Sequence, residues 1–426
     1  MKNTLFLLLF SIVFFPSVKA QEPVRGDCAP KGKQEIIFDN ANSKIPYRIP
    51  AIAKNNEGDL IAVVDYRYSG VDIGVVDNGK IDLLYRIKDG KTGKWGEIHT
   101  LASARGDGGE DFTAFSDPCI VADRESDKIL VTSCSGNISF QKGTPDNHLG
   151  WSVFLSEDGG KTWTEYDEIS QQVFNQLSPT DSEVPHSFFI ASGKIEQSKK
   201  IKNGDFYRLY CAATVKKESR NYENFVFYSD DFGKNWKLLG DSKKGAIANK
   251  ADEAKIVELP DGNVLVSSRI SGGRTFNIFK YSDPEIGSGE WGEEFVSEAE
   301  NSGLIASKNA CNGEILCLPV KSADGRETFL LLQSVPLDED GKRAKVGINY
   351  KELASDDSYS SPQKIGTNWD GVFMVTPKSS AYSTMCLDKD DNIAFLYEED
   401  LYNGGFDIIF TTLPLETVTD GKYFNR

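Results

Sequence analysis

Residue types that work by metal ligation or thiol attack are poorly arranged in this chain. Its three histidines, His99, His148 and His186, show no ligand spacing, so no zinc site is expected. Its seven cysteines (Cys28, Cys119, Cys134, Cys211, Cys311, Cys317 and Cys386) contain no C-x-x-C pair, and an odd count leaves at least one thiol unpaired within one chain. Most of them read as small buried hydrophobes. Charge chemistry is better supplied. Asp and Glu outnumber Lys and Arg 64 to 48, a formal net charge of −16, which argues against a nucleic-acid binder. An acidic ligand would therefore need positive charge gathered locally. A guanidinium suits that task, because it is always charged and its planar fork matches a carboxylate. Tyr47-Arg48-Ile49-Pro50 places one early in the chain.

Such groups need a scaffold, and the scaffold reads as strands. Asp59–Arg67, Ile129–Ser133, Phe206–Val215, Asn224–Ser229, Asn263–Arg269, Thr275–Ser282, Glu314–Val320, Thr328–Val335, Asn392–Glu398 and Asp407–Leu413 are short and rich in Val, Ile, Phe and Tyr. Gly, Asp, Asn and Pro clusters separate them, which is the all-β pattern. No window carries a long 3.6-residue apolar period with caps. A repeat stands out. Ser156–Trp163 (SEDGGKTW) and Ser229–Trp236 (SDDFGKNW) both fit S-x-D-x-G-x-x-W. Lys88–Trp95 and Ser282–Trp291 are looser copies, and Ser355–Pro362 (SDDSYSSP) reads as a fifth without its Trp. The four tryptophans stand 68, 73 and 55 residues apart, a period that suits propeller blades of one antiparallel sheet each. The box is structural: Asp158 accepts from N–H groups of its own turn, Gly160 supplies positive φ, and Trp163 is expected to fold back over the hairpin.

The order of an YRIP motif followed by Asp boxes resembles the sialidase (neuraminidase) family, here over nearly all of residues 21–426. The resemblance implies an all-β, six-bladed β-propeller and an exo-α-sialidase acting on sialylated glycans without metal or organic cofactor. It implies that Arg48, Arg269 (ending LPDGNVLVSSR) and Arg343 (in DEDGKRAKVG) bind the carboxylate of sialic acid. Tyr382 in SSAYSTM matches the nucleophile. A neutral phenol avoids the repulsion an anionic nucleophile would meet at a carbon bearing a carboxylate, but its pKa near 10 calls for a base. Glu253 in ADEAKIVELPDG matches that base, with Asp252 beside it as the alternative. Asp72 in DYRYSGVDIG matches the acid/base, with Asp77 not excluded. Gly70 and Gly74 favour a mobile loop there. Arg67 and Asp117 (in FSDPCIV) match contacts on the O4 side of the sugar. Glu398 in FLYEED matches a carboxylate that supports Arg48. Pro179–Ser187 departs from the family pattern, which leaves linkage and acceptor preference open.

Residues 1–20 read as a secretory signal peptide: Lys2, the apolar run Leu5–Phe15, then small residues Val18 and Ala20 before the cleavage point. The expected mature protein is exported, to the periplasm, the cell surface or the medium, with no spanning segment. Three other readings compete. A glycan-binding propeller without activity need not keep Tyr382, Glu253 and Asp72 together. A glycosidase for neutral sugars has no use for three converging arginines. A trans-sialidase shares every motif named above. Linkage preference, disulfide pairing and oligomeric state are not read from the sequence.

Overall fold

The computed structural model describes residues 34–426 except 44, 78, 105–112, 178–183, 220, 250 and 401–404. The proposed signal segment and Cys28 lie outside the described residues, as does most of Pro179–Ser187. Six separate sheets of four or five strands form the molecule, antiparallel except for one short pair. In chain order, their inner strands are Tyr47–Lys54, Ala114–Ala122, Glu196–Asn203 with Pro185–Ile190, Ala254–Glu258, Ile315–Ser322 and Ser380–Leu387. Two details close the ring. Glu35–Phe38 pairs with Asp407–Leu413 as the outermost strand of the sixth blade. Tyr423–Asn425 returns to pair with the inner strand of the fifth.

The core is not one mass. Six apolar clusters lie between successive blades, as expected where each sheet buries both faces against neighbours. All ten expected strands are present, within a few residues at their ends. Among the described residues helices are three to five residues long, and none is long and apolar enough to cross a membrane.

Every Asp-box copy connects the third and fourth strands of its blade. In the full boxes Asp158 accepts from the N–H groups of Lys161 (3.0 Å) and Thr162 (2.9 Å), and Asp231 accepts from that of Asn235 (2.8 Å). The serine closes the turn: Gly160 N–H donates to Ser156 Oγ at 2.9 Å, and Gly233 N–H to Ser229 Oγ at 2.8 Å. The tryptophan differs from expectation. Trp163 packs edge-on against Tyr85 of the preceding blade, with ring centroids 5.8 Å apart, rather than covering its own hairpin. Trp95 meets Phe410 (5.2 Å) and Trp236 meets Trp151 (5.3 Å) in the same sense. The reason is area: a hairpin tip offers an indole little to bury against, and the facing blade offers a sheet. The fifth copy is also different. Residues Asp356–Tyr359 and Pro362–Gly366 form two short helices, and Trp369 meets Phe276 of the preceding blade at 6.2 Å.

Candidate active site

Three inner strands break register near the end that carries the functional side chains: between Arg48 and Ala51, between Ser116 and Cys119, and between Ser380 and Ser383. The first two breaks share one construction. Ile49 (φ 54°) precedes Pro50, and Asp117 (φ 56°) precedes Pro118. Positive φ is a genuine outlier for a β-branched residue such as Ile49. Proline is tolerated at a bulge because no ladder N–H is needed there. Each bulge re-aims its neighbours and is held by a buried carboxylate from the second strand of the preceding blade. Glu398 Oε1 accepts from Ile49 N–H (2.8 Å) and Arg48 Nε (2.7 Å), while Oε2 accepts from Arg48 Nη2 (3.3 Å) and Tyr382 N–H (3.2 Å). Asp65 Oδ1 accepts from Asp117 N–H (3.0 Å), and Oδ2 from Ser116 Oγ (2.9 Å).

These strands and the start of the fourth blade's inner strand converge on Tyr382. Its hydroxyl lies 2.9 and 3.0 Å from the two carboxylate oxygens of Glu253 and 3.2 Å from Arg269 Nη1. Arg269 Nη1 also binds Glu253 Oε2 at 2.6 Å. The Arg48 and Arg343 guanidinium carbons stand 5.7 and 5.8 Å from the Tyr382 ring centroid. Glu253, not Asp252, reaches the phenol; Asp252 instead approaches Arg269 Nε at 3.5 Å. Burial, then the charge of Glu253, pushes the Tyr382 phenol well above its ordinary value. Burial opposes the charge on Arg269, but Glu253, Tyr382 and Asp252 together hold its guanidinium above the ordinary range. Arg48 is paired with Glu398, and Arg269 with Glu253. Arg343 has no carboxylate partner among the described residues; its Nε donates to Asn309 Oδ1 at 3.3 Å.

A second group adjoins the first. Arg67, 3% exposed, donates through Nε (3.0 Å) and Nη2 (2.7 Å) to Asp65 and pairs with Asp72 through Nη1. Asp117 stands 3.9 Å from it. Three carboxylates thus share one guanidinium. Burial pushes Asp65 up to about 6 against the pull of Arg67. Burial, then the charge of Asp65, raises Asp117 well above the usual range, and Glu253 contributes to the same shift. Asp72 is the open member, its side chain 72% exposed. Asp77 is exposed and makes no contact with this group among the described residues.

The loop bearing Asp72 is pinned rather than hinged. Ile73 is buried at 4% exposure, and a Cβ on Gly74 (φ 64°) would sit 2.2 Å from Ser139 N. Gly74 is needed for that close approach of two backbones. Sequence reasoning missed Asp65. Strand alternation offered a signal, since residues 65 and 67 share a face. It also missed Asn309, Cys311 and Phe406. Cys311 lies in an apolar cluster with Ile49, Ala381 and Tyr382, and Phe406 lies 5.2 Å beneath Arg48. No periodicity points to either. All six described cysteines are free, and five are buried.

Comparison with known proteins fits this geometry. The family model described as a BNR repeat-like domain matches residues 76–390. A sialidase of Micromonospora viridifaciens is 30% identical over 260 residues, 59% of this chain but 37% of that protein, so the match spans little more than a third of the relative. In solved structures, the Hadza microbial sialidase Hz136 superposes with a TM-score of 0.67 at 19% identity, over 90% of this chain and 69% of that one. The intramolecular trans-sialidase from Ruminococcus gnavus superposes at 0.66 and 16% identity, over 91% of this chain and 98% of that one. At such identities the superpositions speak for architecture. The matched repeat model covers most of the chain, the sheets form six blades, and the chain belongs to the BNR repeat-like domain family.

Proposed function

We propose that the chain is an exo-α-sialidase that hydrolyses terminal sialic acid from glycoproteins, glycolipids or oligosaccharides with retention of configuration. One observation carries this reading: the Tyr382 phenol is hydrogen-bonded to the Glu253 carboxylate at a point that three arginines from different blades approach. A binding module has no need of a phenol held on a base. A scheme with two carboxylates, one of them the nucleophile, does not fit a phenol in that position, and sialidases depart from it.

In the proposed reaction, Arg48, Arg269 and Arg343 hold the sugar's carboxylate. Arg343 is the guanidinium most open to it, because no carboxylate among the described residues competes there. Glu253 takes the phenol proton as the Tyr382 oxygen attacks the anomeric carbon. Asp72 gives its proton to the leaving oxygen, and the glycosidic C–O bond breaks. Asp72 then removes a proton from water, which displaces Tyr382 from the sugar–tyrosine intermediate. The departing phenolate recovers its proton from Glu253. Asp117 faces the sugar beside Asp72, and Arg67 fixes both. The raised phenol pKa favours the neutral form of Tyr382, so the nucleophile itself adds no negative charge against the incoming carboxylate.

The test is release of a fluorogenic aglycone from a sialoside. Wild type should turn it over, and Tyr382→Phe should lose at least about a thousandfold in kcat. A fluorinated sialic acid should leave a covalent adduct on Tyr382, located by mass spectrometry. Wild-type turnover in Tyr382→Phe, or an adduct elsewhere, would remove the phenol from the mechanism. Adding a glycan acceptor and measuring transferred sugar separates hydrolysis from transfer. Export rests on Lys2, Leu5–Phe15, Val18 and Ala20; N-terminal sequencing of the mature protein should begin at Gln21.

A further inference from the structure

Directly below the phenol and its carboxylate lies a charged pair that the reaction above does not use. Alternation along a strand places residues two apart on one face. Lys255 therefore follows Glu253 down the inner face of the fourth blade, and Thr384 follows Tyr382 down that of the sixth. Both end on Glu314, which sits just before the inner strand of the fifth blade. Glu314 Oε2 accepts from Lys255 Nζ (3.0 Å), Thr384 Oγ1 (3.1 Å) and the Lys194 N–H (3.0 Å). Its Oε1 accepts from Ile315 N–H at 3.1 Å. Lys255 Nζ also donates to the Ser192 carbonyl. Lys255, Glu314 and Thr384 are at most 2% exposed.

Gly193 completes the fit. At φ 101°, a Cβ there would lie 2.6 Å from Lys255 Nζ and 2.8 Å from Glu314 Oε2. The Gly193–Lys194 segment, which pairs with the inner strand of the second blade, is thus pressed onto the ion pair by the absence of a side chain. A second link runs alongside, because Ser334 Oγ meets both Glu314 N–H (2.8 Å) and Ser383 Oγ (2.9 Å). A buried ion pair is a weak source of stability, since desolvation offsets most of its attraction, but it constrains geometry strongly. The phenol and Glu253 come from different blades and meet only at their tips, so something must set their separation.

We propose that Lys255, Glu314 and Thr384 are positioning residues that fix the Tyr382–Glu253 distance from below. The inference rests on the reading of that pair as nucleophile and base. Thr384→Val removes only the hydroxyl that ties the Tyr382 strand to Glu314, and Thr384→Ser keeps it. The double variant Lys255→Met with Glu314→Gln removes both charges without stranding either. Each variant should fold with an unfolding midpoint close to wild type. Thr384→Val and the double variant should lose about 10- to 100-fold in kcat, the scale of a misplacement of about 1 Å, with KM within about twofold. Thr384→Ser should restore kcat. The carbon-13 signal of the Tyr382 phenol, assigned through Tyr382→Phe, should shift in the impaired variants and not in Thr384→Ser.

Unchanged kcat and an unchanged phenol signal in folded Thr384→Val and in the double variant would overturn the proposal. Should the double variant fail to fold, the Thr384 pair decides alone. A wild type that turns over no sialoside would instead defeat the functional reading. The phenol signal would still decide whether the lower layer positions the pair.

Discussion

Asp65 shows how one side chain sets the character of its neighbours. It is fully buried, clamps Arg67 through one oxygen and holds the strained Asp117 backbone through the other. Its pKa is pushed from 3.8 to about 6 because burial outweighs the pull of Arg67. In the window between these values the folded protein keeps a proton that the unfolded chain has released. Stability contributed by Asp65 is therefore complete below about pH 4 and is lost as pH rises through about 6. Asp65→Asn does not titrate. The difference in unfolding midpoint between wild type and Asp65→Asn should shrink from pH 4 to pH 6 and stay flat above that. A difference that grows over the same range would mean that the ionised carboxylate is the favoured form.

At the level of elements, the bulges and the Asp72 loop do the aiming. A carboxylate on the second strand of one blade reaches the bulge on the inner strand of the next, at Glu398 to Ile49 and again at Asp65 to Asp117. Left-handed backbone at a non-glycine residue costs about 1–3 kcal/mol and persists where surroundings over-determine it; here the clamp and the following proline do so. The Asp72 loop is fixed by a contact instead. Gly74→Ala would drive a methyl group into the Ile138–Ser139 backbone and shift Asp72 two residues away. On the proposed mechanism this variant should lose roughly tenfold or more on natural oligosaccharides, the lower range of a general-acid contribution. Aryl sialosides, whose leaving groups need little protonation, should suffer less. Equal loss on both substrates would assign Gly74 a role other than aiming Asp72.

For the whole molecule, the question is what keeps six sheets in a ring. Each interface buries its own apolar cluster, and the last interface depends on the Glu35–Phe38 strand, since that strand completes the sixth blade. Phe38 is fully buried there, 5.3 Å from Tyr47 of the first blade. Phe38→Ala should cost about 3–5 kcal/mol, the usual range for a buried phenylalanine. Phe424→Ala, at a residue 41% exposed, should change stability by no more than about 0.5 kcal/mol. Denaturant unfolding of the two variants checks this. Equal effects would mean that the ring does not rely on closure by its first strand. Ring integrity bears on the site, because Arg48, Glu253 and Tyr382 come from the first, fourth and sixth blades.

By itself the sequence determined what repeats and what is local. Alternating apolar strands, turn residues and Asp boxes recur along the chain, so the all-β class, the blade period and ten strands were legible before any coordinates. The motifs around Arg48, Arg269 and Tyr382 were legible through family resemblance, because each is a short contiguous pattern. The inner strands Tyr47–Lys54, Ala114–Ala122, Ala254–Glu258 and Ser380–Leu387 were not, although they carry or adjoin the site. Bulges break the alternation in all but Ala254–Glu258, and the four lie buried on both faces around the axis, so polar and apolar residues mix without a period. Only the tertiary structure decided between Glu253 and Asp252 as the phenol's partner, and between Asp72 and Asp77 as the partner of Arg67. Only it joined Asp65 to Asp117, set Trp163 against the preceding sheet, and placed Lys255 and Thr384 on Glu314. Apart from the Asp72–Arg67 contact, these are distances between residues on different blades. Side-chain reach across a ring depends on how the sheets pack, and no local pattern in one strand records where the facing strand will stand.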